Sequence, residues 1–162
     1  MSQILADRFR RWFAYENEVH ERAFASLESV PADRRDSAEY RRAVDLMAHL
    51  NAARGIWKRR IEGTSRPKEN SFPQGMTLQD VRSSWAETAR EWNALLQSLD
   101  DEGLARLVDY RMLDGSPHRN TVEEILTQLF GHSSYHRGQI AMLVKTAGGT
   151  PAMTDYIFWL RG

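Results

Sequence analysis

Four stretches of this chain repeat their apolar residues every third or fourth position, and that rhythm constrains the fold to packed amphipathic helices. The first runs from about Ser2 to Ser29, with Leu5, Phe9, Trp12, Phe13, Ala23, Phe24 and Leu27 on one stripe, and Pro31 ends it. The second runs from about Ser37, a plausible N-cap, to Gly63, with Tyr40, Val44, Met47, Leu50, Ile56, Trp57 and Ile61. The third begins after Thr77, where Thr77 and Asp80 resemble a capping box, and carries Leu78, Val81, Trp85, Trp92, Leu95, Leu96 and Leu99. The fourth spans about Val122 to Ala147 between a better box, Thr121 with Glu124, and the stop at Gly148-Gly149. Its stripe is Val122, Ile125, Leu126, Leu129, Ile140, Leu143 and Val144.

The intervening segments change character. Thr64 to Gly75 holds Pro67 and Pro73 among Ser and Asn, and reads as a crossover loop too short to separate two cores. Leu104 to Leu113 alternates Val108, Tyr110 and Met112 on one face, and Asp114-Gly115 then signals a hairpin whose return past Pro117 is short and at an edge. In the tail, Thr154 or Asp155 is placed to cap a last helical turn packing Ile157, Phe158 and Trp159. The expected architecture is all-α: a four-helix bundle over residues 1–162 as one domain, with a small β-hairpin before the last long helix and a short C-terminal segment. A chain of 162 residues buries about two-thirds of its unfolded surface, so folding alone requires no metal or disulfide.

Charge and composition narrow the partners. Lys and Arg number 22 against 22 Asp and Glu, so the whole-chain basic footprint of a nucleic-acid binder is missing. The cluster Arg8, Arg10 and Arg11 shares its helix with Glu16, Glu18 and Glu21 and reads as a solvated face. The chain has no cysteine, which excludes disulfides and thiolate ligands and fits a reducing compartment. No apolar run reaches secretory-signal or membrane-span length, so the expectation is a soluble, cytoplasmic protein with no nucleic acid or membrane as partner.

The histidines carry the chemical signal. His132 and His136, in HSSYHRGQ, stand four apart on one helix face, and stepping from Leu129 toward Ile140 passes through them or Ser133, which puts both on the core stripe. Two imidazoles buried without partners lose about 1–3 kcal/mol each in hydrogen bonding. A shared metal removes that cost, and so do bonds to neighbouring side chains. His49 lies on the inward stripe Leu46, His49, Ala53, Ile56 of the second helix and offers a third nitrogen. Three protein ligands with an open position is the pattern of a catalytic rather than a structural site.

These pieces together resemble the DinB-like (DinB/YfiT) metal-binding proteins: His49 followed by Trp57, the run EILTQLFGHSSYHRGQIAML, the hairpin DYRMLDGSPHRNT and the tail TPAMTDYIFWL. The resemblance spans nearly the whole chain. It implies a four-helix bundle with an unusual crossover, and a divalent ion, zinc or nickel, held by His49, His132 and His136 with water completing the shell. It also implies a homodimer. Characterised relatives include thiol S-transferases, so the implied activity is a metal-dependent transferase acting on a small molecule with a low-molecular-weight thiol, with a metal-dependent hydrolase as the other enzymatic reading. The alternatives are a non-catalytic metal-binding stress-response protein and a dimeric helical scaffold. The residues between His132 and His136 are Ser-Ser-Tyr, so the glutamate base of an HExxH hydrolase is missing.

Further polar groups bear on the site. Glu16 and His20 stand four apart on the first helix and read either as second-layer or pocket-wall groups near the ion, or as a solvent-facing pair at the stripe's edge. Gln139 is placed to orient a ligand, and Trp57 to line the pocket, while the other tryptophans build core and interface. Arg137 is expected in a surface salt bridge, Tyr135 in packing and His118 in solvent. Gly138 is expected to mark a close helix approach or room for substrate.

Overall fold

The computed structural model describes residues 4–66 and 68–162. The order is α1 (Ile4–Glu28), α2 (Ala38–Glu62), α3 (Leu78–Ser98), the short α4 (Asp101–Ala105), β1 (Leu107–Arg111), β2 (Pro117–Thr121), α5 (Val122–Thr146) and α6 (Tyr156–Arg161). A single 3₁₀ turn at Ala32–Arg34 joins the first two helices. The expected start of the first helix at Ser2 lies outside the described residues, as does Pro67 of the crossover loop.

Helices α1, α2, α3 and α5 form the bundle. Each of α1 and α2 packs along both α3 and α5, while α1 and α2 touch each other little. α1 and α2 therefore sit across the diagonal, and the long loop after α2 carries the chain to the side where α3 fits between them. The interior holds Phe13, Phe24, Leu27, Met47, Leu50, Trp85, Trp92, Leu129 and Ile140. Burying each such side chain contributes about 1.5–3 kcal/mol. Among the described residues, no helix is long and apolar enough to cross a membrane.

Local chemistry sets the ends of these helices. Ser37 accepts from the Tyr40 N–H at 3.2 Å, and Gly63 closes α2 in the left-handed conformation at φ 70°. Thr121 and Glu124 complete a reciprocal box, at 3.1 Å from the Glu124 N–H and 2.9 Å from the Thr121 N–H. The Thr77–Asp80 box is only half made. Thr77 accepts from the Asp80 N–H, but the shorter Asp80 carboxylate takes the Thr77 hydroxyl at 2.6 Å instead of the backbone.

The hairpin is shorter than the alternating pattern suggests. Leu104 belongs to α4, because Asp100 caps a helical turn by accepting from the Gly103 N–H at 2.8 Å, and the strand starts at Leu107. β1 and β2 pair antiparallel from Leu107↔Thr121 to Arg111↔Pro117. The turn closes with Met112 N–H on Ser116 O and Gly115 N–H on Met112 O, both 2.9 Å, with Gly115 at φ 85°.

At the far end of α5, Gly149 touches the end of α1. A Cβ there would lie 2.7 Å from Val30 Cγ2 and 2.9 Å from both Ser29 Oγ and Val144 Cγ1, so only glycine fits. Asp155 occupies the N-cap position of α6 without a side-chain capping bond. Trp159 packs edge-on against Tyr15 and donates to Glu18, whereas Ile157 and Phe158 stay exposed, because one and a half turns of helix present only one side to the bundle.

Candidate metal centre

His49 comes from α2, and His132 and His136 from the adjacent α5. His132 Nε2 lies 3.1 Å from the Nε2 of His49 and 3.1 Å from that of His136, and the three residues can offer nitrogens all within 4.8 Å of one another. The rings meet edge to face, with interplanar angles of 69°, 85° and 82°. With metal–nitrogen bonds of about 2.0–2.1 Å, a 3.1 Å separation corresponds to a nitrogen–metal–nitrogen angle near ~98°, between square and tetrahedral values.

The second nitrogen of each ring decides which tautomer it takes. His49 Nδ1 faces the Ser71 carbonyl, and His136 Nδ1 faces Gln139 Oε1 at 2.7 Å. Both partners accept only, so both Nδ1 atoms donate and both Nε2 atoms carry lone pairs toward His132. One proton on His132 Nε2 satisfies one of its two neighbours and leaves the other lone pair opposed. A cation satisfies all three, so the donor set fits a metal ion better than it fits a closed hydrogen-bond cluster. Burial, reinforced by His136, His49 and Arg54, pulls the His132 pKa down to about 4. Burial also lowers His136, against the opposing bond to Gln139. Both are therefore neutral at pH 7, the form that ligates.

The histidines do not lie on the core stripe itself. The innermost line of α5 runs Leu129, Ser133, Arg137, Ile140, and His132 and His136 are half-buried one step round the helix. That offset keeps them accessible. A cavity of about 240 Å³ opens beside His49 and His132, walled by Trp57, Arg60, Met112 and Leu113 among others. Trp57 lines this cavity, and Gln139 Oε1 holds His136 Nδ1. The crossover loop contributes more than a linker. Phe72 stacks on His49 at 4.5 Å, and Arg42 sits over Phe72 at 4.7 Å. A lone aromatic in a polar loop was the available signal for that lid.

Glu16 and His20 are buried, neither facing solvent nor walling this cavity. His20 stacks on Trp85 at 3.9 Å, holds its Nδ1 2.9 Å from the Glu16 carbonyl, and is pushed by burial to a pKa of about 3. Glu16 bonds Arg54 at 2.6 Å and Arg137 at 2.7 Å. Arg137 is therefore no surface residue. It is 2% exposed and also donates to Tyr15 Oη at 3.1 Å. A charged residue reads as surface in sequence; its place on the inward line became visible only once Ser133 set the helix phase. Burial alone would raise the Glu16 carboxyl, but the two guanidiniums outweigh it and hold it below the ordinary range. Tyr135 is exposed with its ring edge-on to His136, His118 is exposed on β2, and a Cβ on Gly138 would meet nothing within 4 Å, so no helix approaches there.

Bundle and histidines together define a helical protein with a three-histidine group, drawn from two helices, that can hold a metal ion. The DinB family model matches residues 1–162, and the chain belongs to the DinB family. The fold is similar to the crystal structure of a DinB-like protein from Bacillus cereus ATCC 10987, with a TM-score of 0.68 and 18% identity, covering 94% of this chain and 99% of that one. No curated protein matches the chain.

Proposed function

We propose that this protein is a metal-dependent enzyme in which His49, His132 and His136 hold one divalent ion, zinc or nickel, and that it transfers a low-molecular-weight thiol to a small electrophile. The observation that carries this reading is the set of three imidazoles whose nitrogens converge, with His49 and His132 beside an open cavity. Such an ion, when bound, supplies positive charge that favours the thiolate over the thiol near neutral pH.

The chain's own residues do the rest. Ser71 and Gln139 fix the ring tautomers, and Phe72 covers one face of His49. Trp57, Ile56, Leu129 and Leu113 make an apolar wall that limits water at the sulfur. In the transfer, a sulfur–carbon bond forms as the bond to the leaving group breaks, and the thiol proton passes to bulk water. The histidines are ligands in this scheme and move no proton. Exposed Tyr135, Met142, Met153, Ile157, Phe158 and Leu160 support a homodimer as part of the same reading.

Metal analysis of the purified protein, followed by a screen of thiols against alkylating and ester electrophiles, tests the proposal. Stoichiometric metal lost in His132→Ala, with thiol-dependent turnover lost alongside it, is the expected result. Stoichiometric metal with no turnover across the screen would leave a metal-binding module and overturn the transferase assignment.

A further inference from the structure

Arg60 is 6% exposed and has no carboxylate partner among the described residues. Its guanidinium lies against two aromatic rings that themselves meet edge to face, 4.4 Å from the Trp57 centroid and 5.0 Å from that of Tyr110. Of its five N–H groups, one bonds the Arg111 carbonyl at 3.0 Å, and Nε and Nη1 have no protein acceptor among the described residues. Glu69 and Asp109, the acids that line the cleft, bond Arg59 and Arg119, and Glu69 acts on Arg60 only through space. Burying a cation with no bonded acid is costly, and a bound anion supplies the missing counter-charge.

The position of Arg60 says where that charge comes from. It lines the 240 Å³ cavity beside His49 and His132, and also a wider cleft of about 750 Å³ that holds Arg66, Lys68, Arg111 and His118. Met112 and Leu113 border both spaces, so Arg60 marks their junction. It follows His49 by eleven residues on α2, about 16 Å along the helix axis.

We propose that Arg60, with Arg111 beside it, binds an anionic group, carboxylate or phosphate, at the far end of an elongated ligand whose other end lies at the three histidines. This rests on the metal-site reading for the ligand's reacting end, but the anion site stands on Arg60 and the two cavities alone. The aromatic pair keeps the guanidinium plane fixed, which favours two parallel N–H bonds to one anion. The remaining cations of the cleft strengthen its positive field.

Calorimetric titration of the metal-free and the zinc-loaded protein with octanoate, octyl phosphate and octanol tests this. At least one anion is expected to bind the metal-free protein about tenfold or more tighter than octanol, and Arg60→Gln to remove that preference while leaving octanol unchanged. The anion that shows the preference distinguishes carboxylate from phosphate. Arg60→Lys is expected to keep part of the preference, because charge remains while the planar fork is lost. Arg111→Gln, an exposed substitution that gives up one bond to the Gly115 carbonyl, is expected to weaken the anion severalfold, and it carries the test should Arg60→Gln not fold. Octanol binding as tightly as both anions, a preference that survives Arg60→Gln, or one that Arg111→Gln leaves undiminished should that variant carry the test, would overturn the proposal. Failure of the metal reading looks different: the anion preference persists while zinc does not bind stoichiometrically.

Discussion

Glu16 on α1 and Arg137 on α5 meet at 2.7 Å in the interior, and the other oxygen of the same carboxylate holds Arg54 of α2 at 2.6 Å. One acid thus ties together three bundle helices, two of which carry the histidines. Glu16→Ala leaves two buried guanidiniums without their acid and is expected to lower stability by about 3–5 kcal/mol, read from urea unfolding. Because the Glu16 carboxyl is held below its ordinary range, its contribution is present above pH ~4.5 and is lost as pH falls through the lowered folded value.

His20 gives a second pH dependence, over a window it shares with His132. Its folded pKa is about 3 against 6.5 when free, so the unfolded chain binds the extra proton between those values. Stability of the metal-free protein is expected to fall on acidification from pH 6.5 toward 3, by up to about 1.4 kcal/mol per pH unit from this residue. His20→Gln is expected to flatten that slope in melting curves taken across the window.

Adding zinc to the metal-free protein is expected to raise its melting temperature. At about 100 times the dissociation constant the gain is about 2.7 kcal/mol, or about 5–10 °C for a chain of this size. His132→Ala is expected to abolish the shift, and a chelator to reverse it, as followed by differential scanning calorimetry.

Gln139→Leu keeps the helix but removes the acceptor of the His136 Nδ1 proton. Metal affinity is expected to fall about 10–100-fold with the melting temperature of the metal-free protein little changed. Competition against a chelator of known affinity measures the first, and thermal unfolding the second.

Gly149→Ala drives a methyl into Val30, Ser29 and Val144 and is expected to lower stability by about 1–3 kcal/mol. The check is chemical denaturation beside wild type, with metal content unaltered, because the contact lies at the end of α5 away from the histidines.

Periodicity made the four long helices legible, and capping residues placed their starts at Ser37, Thr77 and Thr121. The three histidines were legible because spacing on a helix fixes which side chains share a face. Depth was harder to read. Arg54 and Arg137 look like surface charges until Glu16 is known to face both, a relation between distant segments that no local pattern encodes. The same limit hid α4, since Asp100 capping a single turn competes with an alternating pattern through Leu104, and it hid Phe72, whose partner His49 lies 23 positions upstream.

The histidines sit on rigid helices, while the cavity mouth above them is bordered by Met112 and Leu113 in a short turn closed by its own backbone bonds. Replacing those turn residues alters which molecules are admitted without moving a ligand nitrogen. A scaffold of this kind can vary its cavity wall while keeping the three-histidine geometry.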